Sequence, residues 1–328
     1  MSEASGPASG APPRRGSRVG IVGAGRVGQA CAFAMVLRRS CRDIVLVDRD
    51  EKRAIGVATD IRYGAPLSAP IQIVGGGWDQ LAGADVVLIT AGVNEKSGGA
   101  TDRSDARGRL KLLDPNVPVY RDVVPRIVES SPEAVLVAVT DPPDPLADLT
   151  RDLAGHGRVL STGTVIDTMR LRVHIGAEIG VHPSAVEALV VGEHGTSQVM
   201  LWSSVRVNGA PLEQALEVLG GGRTVGELRE RVEREVRYAN IAIIEGNDAS
   251  QYGIGAVCAR ISEAILRDEK AVLPVAARVE RYGVTIALPS VVGRQGVVAS
   301  LMPSMSDDEG DAFARSVATL REAVAGIA

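Results

Sequence analysis

The first half of the chain alternates short apolar runs with longer stretches in which polar and apolar residues mix. Within each run the apolar residues are consecutive, which indicates a strand buried on both faces, as in a parallel sheet covered by helices. Strand–helix alternation of this kind predicts a doubly wound α/β domain. The runs cover residues 18–22, 43–47, 71–74, 85–90, 134–139 and 158–162.

The pattern changes after residue 163, where long amphipathic stretches become more frequent than apolar runs. Such stretches indicate helices, and the remaining apolar runs indicate strands. We therefore predict that the doubly wound domain covers residues 18–163 and that an α+β catalytic domain covers residues 164–328. In this second domain we expect helices at 250–267 and 307–325, and strands at 271–280 and 285–292.

Composition narrows the kind of protein. Of 328 residues, 45% are hydrophobic and 23% charged, which is typical of a globular chain. Residues 1–17 are mostly Ser, Ala, Gly and Pro, so we expect a disordered tail there. The formal net charge of −4 gives no reason to expect binding to nucleic acid or to anionic membranes.

The three cysteines show neither paired nor metal-ligand spacing, so we expect no disulfide, no metal site and a reducing compartment. No apolar run has the length of a membrane span, and the first residues lack the apolar core of a secretory signal. The expected location is the cytoplasm.

The motif GAGRVG follows the first apolar run and precedes a helical stretch. In this context Gly23 permits a tight turn, Gly25 lets the backbone approach a pyrophosphate, and Gly28 lets helix and strand pack closely. Asp48 stands twenty positions beyond Gly28, at the end of the second apolar run. A carboxylate there accepts hydrogen bonds from ribose hydroxyls and repels a 2′-phosphate. The motif predicts dinucleotide binding, with NAD favoured over NADP, although the adjacent Arg49 weakens that preference.

The most promising acid–base group is His194, one of four histidines in the chain. It lies between two glycines just after an apolar run, where the end of a strand meets a cleft. Histidine gives up and recovers a proton near neutral pH. The segment STGTVIDTMRLR supplies Asp167 to orient the ring, with Arg170 one helical turn later on the same face.

These motifs together resemble the L-lactate/malate dehydrogenase family over essentially the whole chain beyond the tail. The resemblance implies a Rossmann domain, NAD as cofactor, hydride transfer between a 2-oxo acid and a 2-hydroxy acid, and a homodimer or homotetramer. The matching segments are VGIVGAGRVG, LVDRD, ITAG, GRLKLLDPN, VTDPPD, GTVIDTMRLR, GEHGTS, YGIG, AVLPV and LPSVVGRQGV.

The resemblance implies a role for each matching residue. His194 would donate a proton to the substrate carbonyl oxygen, and Asp167 would hold the imidazole in its tautomer. Arg170 would bind the substrate carboxylate through two parallel hydrogen bonds. Arg109 would polarise the carbonyl when its loop closes, and Ser250 would line the substrate pocket. The implied cofactor contacts are Gly23, Gly25, Arg26, Val27, Gly28, Asp48, Thr90, Ala91, Gly92 and Val139.

Asp141 departs from the family pattern, which has asparagine at this strand end. An ionised carboxylate cannot donate a hydrogen bond to the reacting oxygen, and it repels an incoming 2-oxo acid. It would favour a cationic group, an iminium N–H or the hydroxyl of an alcohol. The alternative is that Asp141 is protonated or turned toward a neighbouring donor, in which case the reaction is unchanged.

The segment between Gly92 and Arg109 is longer than the family's active-site loop and is rich in Gly, Ser and charged residues. Glu95 stands near the position that helps to choose lactate or malate. An acidic residue there argues against a dicarboxylate and would suit a basic or hydroxylated side chain. The alternative is a solvated insertion without a role in specificity.

Two functions follow from these residues. The first is an enzyme that reduces a 2-oxo acid, or its imine, with a side chain other than that of pyruvate or oxaloacetate. The second is an inactive NAD-binding protein in which Asp141 has abolished turnover. Retention of Arg109, Asp167, Arg170 and His194 favours the enzyme, because a binding protein has no need of all four.

Overall fold

The computed structural model describes residues 17–68, 70–94, 96–98, 101–102 and 108–327. The predicted tail lies outside the described residues except for Ser17, and Glu95 lies outside them too. The helices are α1 (Arg26–Arg38), α2 (Glu51–Gly64), α3 (Leu113–Ser130), α4 (Pro143–Ala154), α5 (Val165–Ile179), α6 (Leu212–Leu219), α7 (Val225–Arg237), α8 (Ala239–Asn247), α9 (Tyr252–Leu266) and α10 (Asp307–Ala325).

The strands of the first half are β1 (Arg18–Val22), β2 (Asp43–Val47), β3 (Gln72–Gly76), β4 (Val86–Ile89), β5 (Val135–Ala138) and β6 (Val159–Ser161). Those of the second half are β7 (Val186–Glu187), β8 (Val190–Val191), β9 (Val199–Met200), β10 (Arg206–Val207), β11 (Ala210–Pro211), β12 (Ala271–Leu273), β13 (Ala276–Val279), β14 (Val284–Ala287), β15 (Ser290–Gly293) and β16 (Gly296–Ser300).

The main sheet has eight strands in the order β14-β13-β6-β5-β4-β1-β2-β3. Strands β1 to β6 are parallel, and β1 pairs with both β2 and β4, so the chain leaves β1 in one direction and later returns on its other side. In open sheets of this kind, ligands bind outside the carboxyl ends of the strands at this reversal point. The predicted doubly wound sheet is confirmed.

The apolar runs form strands because both faces of the sheet are covered by helices. One face packs against α1 and α9, and the other packs against α3 and α4. Strands β1 and β2 coincide with their predicted runs, and β3 to β6 overlap theirs. The central residues Ile21, Leu46 and Leu88 are fully buried.

The predicted strands 271–280 and 285–292 are wrong as continuous strands. Each is divided in two, with Pro274 between β12 and β13 and Pro289 between β14 and β15. Proline lacks the N–H that a strand interior donates to its neighbour. After these breaks, β13 and β14 extend the main sheet beside β6, whereas β12, β15 and β16 form a separate sheet.

The predicted helices of the second half are present as α9 and α10, in an α/β arrangement that confirms the expected fold class. Helices α5, α6 and α7 enclose one apolar core, and α10 packs over β14 in another. The predicted domain boundary at residue 163 stays a prediction. In the part of the chain that the structure describes, no helix has the length and apolarity needed to cross a membrane.

Candidate active site

A cavity of about 100 Å³ lies at the carboxyl edge of the main sheet, where the segments that follow β4 and β5 face α5 and α8. An adjoining groove of about 350 Å³ runs past the start of α1 and includes Gly25 and Arg26. The cavity brings together most of the predicted site residues, namely Val27, Thr90, Gly92, Arg109, Val139, Asp141, Arg170, His194 and Ser250.

Directly behind the cavity wall, His194 and Asp167 form a buried pair. The ring nitrogen Nδ1 of His194 is 2.5 Å from Oδ2 of Asp167, and the two residues are 6% and 0% exposed. Burial by itself would raise the pKa of Asp167, but His194, Arg170 and Arg109 hold that pKa well below its usual range. Asp167 is therefore an ionised carboxylate that fixes the orientation of the imidazole.

Arg170 follows Asp167 by one turn of α5, and this spacing lets its Nη1 donate to Asp167 Oδ1 at 2.8 Å. The helix begins just after Gly163 and Thr164, so both residues lie in its first two turns, and Arg170 lines the cavity. Among the described residues, Asp167 is the only hydrogen-bond partner of the Arg170 side chain. The rest of the guanidinium is available for an anionic ligand.

Asp141 and Arg109 face His194 across the cavity. Arg109 Nη1 contacts Nε2 of His194 and lies 3.5 Å from Asp141 Oδ1. That carboxylate oxygen is in turn 3.7 Å from His194 Nε2. Asp141 therefore presents its side chain to the reacting end of the imidazole, with Arg109 as the neighbouring donor.

The sequence analysis missed Asp144, which holds the backbone of His194. Asp144 lies in the first turn of α4 and is fully buried. Its Oδ2 accepts the His194 backbone N–H at 2.8 Å, and its Oδ1 accepts the Ser161 hydroxyl at 2.5 Å. Burial raises the pKa of Asp144 to about 6, although these two hydrogen bonds oppose the rise. An acidic residue at a helix start, three positions after Asp141, was the available signal.

Asn116 and Asn240 are two further buried amides that the sequence analysis did not single out. Asn116 donates to the Asp141 carbonyl oxygen at 2.8 Å and accepts the Val93 N–H at 2.6 Å, so it fixes the strand end beside the cavity. Asn240 comes from α8 and lines the cavity itself. Asn116 ends the matching segment GRLKLLDPN, which was the available signal, whereas no periodicity or motif distinguishes Asn240 from a surface amide.

The glycine motif has the geometry of a dinucleotide site. Gly23 has a φ of +109°, and a Cβ on Gly28 would lie 1.9 Å from the Gly23 carbonyl oxygen, so neither position accepts a larger residue. A Cβ on Gly25 would meet nothing within 4 Å. Gly25 also precedes α1 without a side-chain cap, which leaves the first N–H groups of the helix to a phosphate.

Asp48 stands at the end of β2 beside this motif. Its Oδ2 accepts the Ala24 N–H at 2.7 Å, and its Oδ1 accepts the Asp50 N–H at 3.0 Å. On the other side, Thr90 donates to the Gly23 carbonyl oxygen at 2.8 Å. The motif, Asp48 and the end of β4 thus form one connected wall, and these residues fit a dinucleotide.

The chain matches two models of one family, which meet near the predicted domain boundary. Residues 17–159 match the lactate/malate dehydrogenase NAD binding domain, and residues 164–328 match the lactate/malate dehydrogenase alpha/beta C-terminal domain. The chain belongs to the lactate/malate dehydrogenase family. The predicted resemblance is thereby confirmed, as is NAD as the cofactor.

Individual members of the family are similar over nearly the full length. An L-lactate dehydrogenase of Deinococcus radiodurans is 43% identical over 304 residues, covering 93% of this chain and 97% of the relative. An L-lactate dehydrogenase of Thermus aquaticus is 41% identical over 316 residues, covering 94% and 99%. The solved structure of a minor L-lactate dehydrogenase from Enterococcus mundtii superposes with a TM-score of 0.87 at 31% identity, covering 96% and 99%.

Membership of the lactate/malate dehydrogenase family confirms that the chain is an NAD-dependent oxidoreductase acting on the CH–OH group of a 2-hydroxy acid. The alternative of an inactive NAD-binding protein is therefore not favoured. The roles of the individual site residues stay predictions.

Proposed function

We propose that this enzyme interconverts a 2-oxo acid and its 2-hydroxy acid with His194 as the acid–base residue. The observation that carries the proposal is the convergence of His194, Asp167, Arg170 and Arg109 on one cavity beside the dinucleotide groove. The names of the relatives, all L-lactate dehydrogenases, support the same reaction class.

In this reaction His194 Nε2 gives a proton to the carbonyl oxygen during reduction and takes it back during oxidation. Asp167 keeps Nδ1 protonated at 2.5 Å and stabilises the imidazolium that oxidation produces. Arg170 binds the substrate carboxylate, since a guanidinium offers two parallel donors. Arg109 polarises the reacting oxygen from beside Nε2. NAD, when bound, takes up or supplies the hydride.

For the cofactor, we propose that the pyrophosphate follows the glycine motif and the start of α1, and that Asp48 accepts the adenosine ribose hydroxyls. The nicotinamide end would then lie where the groove joins the cavity. The proposed contacts are Gly23, Gly25, Arg26, Val27, Gly28, Asp48, Thr90, Ala91, Gly92 and Val139, with Ser250 on the substrate side.

The substrate that we propose is neither pyruvate nor oxaloacetate. Asp141 Oδ1 lies 3.7 Å from His194 Nε2, so an incoming carbonyl oxygen meets a carboxylate there. The same position supports a second candidate reaction, reduction of a 2-imino acid, because an iminium N–H would donate to Asp141. The further exclusion of a dicarboxylate by Glu95 stays a prediction, since Glu95 lies outside the described residues.

Steady-state oxidation of NADH against a panel of 2-oxo acids tests the proposal. Each acid is assayed alone and with ammonia or a primary amine, which forms the imine in solution. We expect turnover with at least one acid and weak turnover with pyruvate and oxaloacetate. Activity that requires the amine would select the imine reaction. No oxidation of NADH under any of these conditions would contradict both reactions.

We also propose a homodimer or homotetramer. Apolar side chains that a monomer would leave in water surround a large groove between α1, α2 and α9, including Phe33, Leu37 and Tyr252, which are 51%, 59% and 70% exposed. Exposed apolar patches of this kind mark interaction surfaces. Light scattering after size-exclusion chromatography measures the mass, and a monomer would contradict this expectation.

A further inference from the structure

One amide in the cavity has no part in the proposed chemistry. Asn240 is the second residue of α8, and it lines the cavity while only 5% of its surface is exposed. Across the described residues, no group hydrogen-bonds to its side chain. The amide therefore faces the space that a ligand would occupy and not a partner in the protein.

Asn116, the other buried asparagine beside the cavity, is held differently. Asn116 is also buried, but its amide makes three hydrogen bonds, two to the backbone of Val93 and one to the Asp141 carbonyl oxygen. Buried polar groups without partners are unfavourable, and most of them are satisfied in folded proteins. The fold accounts for Asn116 and leaves Asn240 without a structural reason.

The charged groups of the cavity are already assigned to other parts of a substrate. Arg170 takes the carboxylate, and Arg109 and His194 surround the reacting oxygen. Asn240 is uncharged and offers both donors and an acceptor, and the Ser250 hydroxyl lines the same cavity.

We propose that Asn240 selects the substrate by hydrogen bonding to the substrate's side chain, and that this side chain carries a hydroxyl or a carboxamide. The inference rests on the proposed 2-oxo acid reaction and adds the third recognition element of its substrate. A polar side chain pairs with the amide, whereas an apolar side chain of the same size buries it unpaired. Sites built to hydrogen-bond a substrate reject analogues that lack the polar group.

Two matched pairs of 2-oxo acids test this recognition. Hydroxypyruvate and 2-oxobutyrate differ by a hydroxyl in place of a methyl group. The 2-oxo acid with a carboxamidomethyl side chain and 4-methyl-2-oxopentanoate differ by a carboxamide in place of an isopropyl group. For at least one pair, we expect kcat/KM for the polar member to exceed that for the apolar member by about tenfold or more.

Asn240→Leu replaces the amide by an apolar group of similar shape, and we expect it to lower that polar-to-apolar ratio by about tenfold or more. Asn247→Leu is the matched control, because Asn247 is an exposed residue at the other end of the same helix. The control should keep the wild-type ratio. Should Asn240→Leu fail to fold, Asn240→Ala replaces it in the same assays.

The outcomes separate this inference from the reaction on which it rests. If none of the 2-oxo acids supports oxidation of NADH by the wild type, the proposed function fails and this inference fails with it. If the wild type reduces 2-oxo acids but uses both members of each pair equally well, only the role of Asn240 is wrong. If Asn240→Leu leaves the polar-to-apolar ratio of kcat/KM unchanged, the role of Asn240 is likewise wrong.

Discussion

The two sides of the cavity differ in how their polar groups are satisfied. On one side, His194 and Asp167 are buried and paired at 2.5 Å, and Asp144 holds the backbone of the histidine. On the other side, Asp141 and Asn240 face the cavity, and the described residues leave the Asn240 amide without a partner. The first side is complete without a ligand, which suits proton transfer on any 2-oxo acid. On the second side Asp141 lies 3.5 Å from Arg109, but the Asn240 amide needs a ligand to pair with, which suits the choice among 2-oxo acids.

The largest expected effect comes from removing the acid–base residue. His194→Ala should lower kcat on the best substrate by about 10²–10⁴, the usual contribution of a general acid. Binding of NADH, measured by fluorescence titration, should change little because His194 lies at the substrate end. His182→Ala is the control, since His182 is exposed and, among the described residues, its side chain hydrogen-bonds only within its own turn. Turnover by His194→Ala at the wild-type rate would show that another group moves the proton.

The next effect concerns the substrate-selecting side. Asp141→Asn replaces an acceptor beside the reacting oxygen by a donor, so it should raise kcat/KM for pyruvate. Loss of one such donor costs about 10²–10³ in rate at comparable sites, and its introduction should recover a similar factor. Asp152→Asn, an exposed change on α4, serves as the control. If the wild type already reduces pyruvate as efficiently as its best substrate, Asp141 does not restrict the substrate.

A smaller effect is expected on the free energy of unfolding, which should depend on pH because Asp144 titrates. The pKa of this buried acid is raised from 3.8 to about 6, so the folded state binds its proton more tightly than the unfolded state. Its contribution to stability is therefore present below pH 4 and is lost as the pH rises from about 4 to about 6. The expected loss is about 3 kcal/mol. Urea unfolding of wild type and Asp144→Asn over this pH range measures it.

Asp144→Asn keeps an acceptor for the His194 N–H and a donor toward Ser161, but it carries no titrating carboxyl group. Relative to the wild type, the variant should therefore gain stability between pH 4 and pH 7. Parallel stability curves for the two proteins would show that Asp144 does not titrate in this range.

The smallest effect is the choice of cofactor. Asp48 stands beside the glycine motif and repels a 2′-phosphate, so NADH should bind at least about tenfold more tightly than NADPH, equivalent to about 1.4 kcal/mol. Fluorescence titration with both cofactors decides this. Equal affinities would remove the role that we assign to Asp48.

The sequence was sufficient for the parts of the site that local patterns encode. Consecutive apolar residues marked β1 to β6, because strands covered on both faces have no polar side. The glycine motif, Asp48 and the Asp167–Arg170 spacing were recognisable because a turn, a strand end and one helical turn place each residue without reference to the rest of the fold.

Local patterns alone did not assign a role to residues whose function depends on tertiary contacts. Asn240 is meaningful only because α8 closes one side of the cavity, and Asp144 only because the loop carrying His194 comes back over the start of α4. The broken strands at Pro274 and Pro289 were overlooked because the β-branched residues around them outweighed two prolines in the pattern.

The most direct test of the division between the two sides is a double-mutant cycle on pyruvate reduction. It compares kcat/KM for the wild type, Asp141→Asn, His194→Ala and the double variant, all purified and assayed together. If His194 carries the chemistry and Asp141 only restricts the substrate, Asp141→Asn raises pyruvate reduction and the rise is lost when His194 is also removed. A double variant that keeps the full rise, at the rate of Asp141→Asn alone, would contradict the account.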